Sequence, residues 1–146
     1  MLSTFHQTKK LLVETVMDLM EIKAPNEISA DEVLQKSGIS KGSMYHHFED
    51  LGDLLEQAQV QRFASYVDSS IEYLTEVLTQ AKTPDQLREG LKGVTRFTQS
   101  HKLAPQRANR VQAIATAIDS TRMRNYLAIE QMRMTNAIAD IYREVV

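Results

Sequence analysis

The stretch ISADEVLQKSGISKGSMYHHF, residues Ile28 to Phe48, decides how this chain is read. Ser29 and Glu32 have the spacing of a capping box, in which the hydroxyl takes the Glu32 N–H and the carboxylate reaches back to the Ser29 N–H. Asp31 and Glu32 fall in the first turn, where the helix dipole favours negative charge. A helix therefore starts at about Ala30, with Val33 and Leu34 as its apolar contacts and Lys36 in its last turn. Gly38 follows, suited to a left-handed stop. Ile39 plugs the turn, and Ser40 caps a second helix opening on Lys41, Gly42 and Ser43. Met44 and Phe48, four apart, form that helix's buried stripe. Lys41, Ser43, Tyr45 and His46 fall on its other faces. Two short helices at a tight turn are the geometry of a DNA-reading helix-turn-helix, whose second helix meets bases and phosphates with its first turn. The same layout describes an ordinary helical hairpin, and spacing alone does not separate the two. The composition of SKGSMYHHF favours the first: Tyr-His-His with a lysine, a glycine and two serines is poor core material and suits phosphate and base contact.

The run Gly38, Ile39, Ser40, Lys41, Gly42, Ser43, Met44, Tyr45, His46, His47, Phe48 resembles the TetR family of bacterial one-component transcription regulators. Their N-terminal pattern ends in Gly–apolar–Ser–Lys–Gly–small–apolar–Tyr–x–His–Phe. The resemblance covers about the first 55 residues and implies roles for individual side chains. Ser29 and Tyr45 hold phosphates. Ser40, Lys41, Gly42 through its backbone, Ser43 and His46 approach the major groove, and His47 braces the motif. Three departures stand out. Leu34 replaces the usual small alanine at the helix crossing, implying wider or tilted packing. Leu51 stands where a lysine is usual, removing one phosphate contact. Ala24-Pro25-Asn26-Glu27 replaces a Gly–aromatic turn.

The rest of the chain reads as helices. With 146 residues and 42% apolar residues it has the material for one domain, or for two small ones sharing a long helix. Five Gly and three Pro leave little for strands or linkers. The expected fold is all-α, with a head at residues 1–50 and a helical effector-binding and dimerisation body at 51–146. A first helix spans Thr4 to about Lys23, with Phe5, Leu12, Val16, Leu19 and Met20 toward the core. Ala24-Pro25-Asn26 breaks it. Asp50 and Asp53 open a long helix to about Lys82, with Leu54, Ala58, Phe63, Val67, Ile71, Leu74 and Leu78 inward. Thr83-Pro84-Asp85 starts the next, to about Ser100, carrying Leu87, Leu91, Val94 and Phe97. A break from His101 to Gln106 contains Pro105. A helix over Arg107–Ile118 follows, and Asp119 or Ser120 caps a last one, with Met123, Leu127, Met134, Ile138, Ile141 and Val145 along one side.

Charge runs against a simple nucleic-acid reading. Residues 1–50 hold five Lys and eight Asp/Glu, a formal net of −3, whereas residues 101–146 carry +3. Phosphate neutralisation supplies most DNA affinity, so weak non-specific binding and a shallow salt dependence are expected. Histidines at the reading face predict tighter binding as pH falls through about 6.5, where free histidine titrates.

Other classes find little footing. The chain has no cysteine, so disulfides and thiolate metal sites are excluded. No apolar run has membrane length, and Glu14 and Asp18 interrupt the N-terminus as no signal peptide allows, so a cytoplasmic protein is expected. There is no Gly-rich phosphate loop and no Glu-x-x-His, and adjacent His46 and His47 diverge by about 100° on a helix. Neither enzyme activity, a metal nor a cofactor is expected. In the body, Phe63, Tyr66, Tyr73, Phe97, Met123 and Tyr126, with Met132 and Met134, are candidate lining for an apolar effector pocket, and equally plain core.

The combined expectation is a ligand-responsive regulator, a repressor acting as a homodimer on a pseudo-palindromic operator. Its two reading helices stand about 34–36 Å apart, and effector coupling is worth about 1–3 kcal/mol. The alternative is a helical adaptor or antirepressor that lacks DNA affinity. Because the chain ends at Val146 inside an amphipathic helix, either a truncated frame or dimerisation through another surface, such as the Met123–Val145 stripe, is expected.

Overall fold

The computed structural model describes residues 4–145, and among them every regular element is helical. Seven α-helices follow in order: α1 (Thr4–Leu19), α2 (Ala30–Ser37), α3 (Lys41–His47), α4 (Leu51–Gln80), α5 (Pro84–Thr98), α6 (Ala104–Asp119) and α7 (Thr121–Val145). Single 3₁₀ turns at Pro25–Glu27 and His101–Leu103 punctuate the chain. No helix among the described residues is long and apolar enough to cross a membrane.

The boundaries have local chemical causes. Pro25 opens the first 3₁₀ turn, and the Glu27 carboxylate accepts the Ala24 N–H at 2.9 Å. Asp50 caps α4 by accepting the Asp53 N–H at 2.6 Å, and Asp53 in turn accepts the Glu49 N–H at 3.0 Å. Thr83 caps α5 through the Gln86 N–H, and Ser120 caps α7 through the Met123 N–H. Two boundaries differ from expectation. α1 stops at Leu19 rather than at about Lys23, and turns carry the chain on from there. Pro105, expected in a break, occupies the first turn of α6, where a missing N–H costs nothing. The helix therefore begins at Ala104.

The chain forms two compact units, Met1–Arg62 and Phe63–Val146. In the first, Leu12, Val16, Leu19, Met20, Ile28, Val33, Met44, Phe48, Leu54 and Ala58 make one buried cluster drawn from α1 to α4. Phe5 does not join it and is 48% exposed. Its ring lies instead against the end of α3, 4.2 Å between centroids from His47.

In the second unit, Met123 is fully buried and Ile141 nearly so, whereas Leu127, Met134 and Ile138 are half-buried, so that side of α7 packs inward along part of its length. The Val145 side chain and Val146 lie outside the described residues. α6 inverts the usual order: small Ala113 and Ala117 are buried, whereas Val111, Ile114 and Ile118 are 67%, 55% and 73% exposed. On α7, Ile129 and Met132 are exposed as well.

Candidate nucleic-acid interface

The α2–α3 pair is held by the chemistry its sequence spells. The Ser29 hydroxyl accepts the Glu32 N–H at 3.2 Å, and the Glu32 carboxylate accepts the Ser29 N–H at 3.1 Å. Lys23 also pairs with Glu32, and this hydrogen bond, ahead of that from Ser29, holds the Glu32 carboxyl below its usual range. Ser29 is exposed, but its hydroxyl is engaged with Glu32, so a phosphate contact from that group competes with the cap. Gly38 takes φ +70°, the left-handed value that makes the turn, and its N–H reaches the Leu34 carbonyl at 2.9 Å. Ser40 then caps α3, its hydroxyl accepting the Ser43 N–H at 3.2 Å.

α3 sorts its side chains cleanly. Met44 and Phe48 are 1% and 2% exposed and anchor the helix to the core. Lys41, Gly42, Tyr45 and His46 are exposed, Ser43 and His47 half-buried. A Cβ built on Gly42 meets nothing within 4 Å, so no internal packing demands glycine there. That position leaves the backbone open to an approaching surface.

Ion pairing thins the positive charge of the first unit unevenly. Lys10 pairs with Glu14, Lys23 with Glu32 and Lys36 with Asp18. Among the described residues Lys41 and Lys9 have no carboxylate partner, and Lys9 lies over the Phe48 ring at 5.6 Å. Phe5 meets His47 and, edge-on at 5.8 Å, His46. The His47 Nδ1 is buried without a partner, and burial, then His46 and Lys9, push the His47 pKa below that of free imidazole. His47 therefore remains neutral where a free histidine has begun to charge, and braces the helix as a ring rather than as a cation. The place of Phe5 was missed in the sequence. Its spacing fits the core stripe, but the first turn of α1 runs past the core and meets the histidines instead.

The expected pocket residues scatter. Tyr66, with Met134, lines a hollow of about 270 Å³ within the Phe63–Val146 unit. Phe63 is buried, with the Arg110 guanidinium 5.5 Å from its ring. Tyr73 and Phe97 pair edge-on at 5.2 Å and line a separate depression. Met123 is core, Tyr126 is half-buried and lines neither hollow, and Met132 is largely exposed. The residue missed was Arg110, which also lines the hollow that Tyr66 and Met134 share. Its signal was register: it lies three and seven positions before Ala113 and Ala117, on the inward side of α6.

No group of three or more His, Asp or Glu side chains among the described residues is placed to hold a metal ion. Comparison with models of known families and with curated proteins finds no match to this chain.

Proposed function

We propose that this chain is a ligand-responsive DNA-binding transcription regulator of TetR type, a repressor that acts as a homodimer on a pseudo-palindromic operator. The proposed head, residues 1–50, falls within the Met1–Arg62 unit; the proposed effector body, residues 51–146, takes in the Phe63–Val146 unit and the start of α4, so the observed division lies twelve residues later than the expected one. One observation carries the reading. α3 is anchored by Met44 and Phe48 while it offers Lys41, Gly42, Tyr45 and His46 outward, with Lys41 free of any ion pair among the described residues. A helix that faced solvent alone would gain nothing from an exposed tyrosine and an open glycine. A helix that enters a major groove uses the glycine for close approach and the others for phosphate and base edges.

The dimer is supported by the outer face of α6. Its exposed Val111, Ile114 and Ile118 form the kind of apolar patch that marks an interface. An effector that favours one spacing of the two reading helices acts by population shift. The test is fluorescence anisotropy on labelled genomic fragments at low and moderate salt. A subset of fragments is retained at moderate salt, and equal binding to every fragment, or none at low salt, refutes the proposal.

The formal −3 of residues 1–50 favours one second reading, a helical adaptor or antirepressor of the same fold. Absence of DNA retention together with capture of another regulator distinguishes it.

A further inference from the structure

The hollow in the Phe63–Val146 unit has apolar walls, formed by Val67, Ile71, Leu74, Val94, Met134 and Ile138, and one charged group, Arg110. No carboxylate lines it. The Arg110 guanidinium lies 5.5 Å from the Phe63 ring centroid and 4.9 Å from that of Tyr66, so two aromatic faces fix its position. Its Nε is buried and has no hydrogen-bond partner. The contrast with Arg107, one turn earlier, is direct: that guanidinium donates to the Thr98 and Ser100 carbonyls at 2.8 and 2.9 Å and serves the end of α5. Arg110 has no such structural task.

A buried guanidinium donor left unpaired is costly, and a fixed planar fork matches a carboxylate. An apolar surround strengthens that pairing, because water competes less for either charge. Of the polar neighbours on the lining, Gln99 is a neutral amide with no charge to match the guanidinium, and two hydroxyls are engaged elsewhere. The Ser70 hydroxyl donates to the Tyr66 carbonyl and the Thr98 hydroxyl to the Thr95 carbonyl. We propose that this hollow binds a small apolar carboxylic acid, its carboxylate on Arg110 and its hydrocarbon against the aliphatic walls. At about 30 Å³ for each water-sized atom, a space of about 270 Å³ takes roughly nine non-hydrogen atoms. Octanoate is close to that size. The site stands on its own geometry, and only its consequence, that the acid is the effector, rests on the regulator reading.

The test is calorimetric titration of the full chain with octanoate, octan-1-ol and octylamine, which share a chain and differ in head group. Octanoate binds roughly tenfold or more tighter than the alcohol, as a charge-assisted bidentate pair implies, and the amine does not bind. Arg110→Met erases the preference for acid and keeps the alcohol. Should that variant fail to fold, Ile71→Trp fills the hollow with Arg110 intact and removes octanoate binding. Equal affinity for acid and alcohol, no octanoate binding at millimolar concentration, or undiminished binding in Ile71→Trp overturns the site. Anisotropy with genomic fragments on the same preparation separates the two proposals. Octanoate binding without DNA binding keeps the site and ends the regulator reading, and the reverse ends the site alone.

Discussion

The double variant Lys41→Ala, Tyr45→Phe separates a reading helix from a structural one. Lys41 is exposed and holds no ion pair among the described residues, so its removal takes nothing from the core. Tyr45 is 42% exposed, so more than half of it is covered, and truncation to alanine would mix lost packing with lost contact. Phenylalanine removes only the hydroxyl. Surface changes of this kind stay within about 0.5 kcal/mol, so melting is unchanged. On DNA the arithmetic differs. A homodimer loses two lysines and two hydroxyls; at about 1 kcal/mol for each lost contact the sum is about 4 kcal/mol, nearly a thousandfold in affinity. The two lysines also release fewer counterions, so the slope of log K against log salt falls by about 1.8. Anisotropy from 50 to 200 mM salt measures both. Unchanged affinity and slope refute the assignment of α3 as the reading element, and a large drop in melting temperature means these side chains hold the fold.

Gly42→Ala makes the opposite dissociation: its Cβ has open space, and alanine favours a helix over glycine by up to about 1 kcal/mol, so melting holds or rises while operator affinity falls. Urea midpoints beside anisotropy check it, and unaltered DNA affinity removes the close-approach role. His47 gives a pH dependence. Its folded pKa lies below the free value, so the unfolded chain binds the extra proton first, and the head loses stability as pH falls below about 6.5 toward the depressed value. His47→Gln flattens this stretch of the urea-midpoint profile, and a profile identical to wild type removes His47 as its source. Ile114→Glu with Ile118→Glu places charge on the exposed α6 face and yields a monomer by analytical ultracentrifugation with the fold retained; a dimer that persists places the interface elsewhere.

Local codes were legible where one residue has one physical use. Ser29 with Glu32, Gly38, Ser40, Asp50 with Asp53, and Thr83 each do at the backbone what their spacing implies. Periodicity located the inward side of α7 but not its surroundings. A stripe beginning at Met123 reads equally as core or as interface, and only packing shows that Met123 and Ile141 are core while Leu127, Met134 and Ile138 are half-covered. The same ambiguity hid the outer face of α6, where the larger side chains point away and alanines point in, against the usual size order. Aromatic content named a pocket as a set, yet Tyr66 lines one hollow while Tyr73 and Phe97 line another, because tertiary placement is not written in residue type.

Net charge was the least faithful guide, and pairing explains why. The acidic total of residues 1–50 counts Glu14, Glu32 and Asp18 as free, although each faces a lysine. Surface pairs of this kind add little stability, but they cancel field at short range and leave Lys9 and Lys41 as the unpaired lysines of the head. Lys9 lies over Phe48, the residue that ends α3, and Lys41 opens that helix. On the proposed reading, the field that DNA would meet is set at the two ends of one short helix rather than by the sum over residues 1–50. Few phosphates would be neutralised that way, which predicts a shallow salt dependence. Discrimination would then rest on direct contacts in the groove from Tyr45, His46 and the open backbone at Gly42.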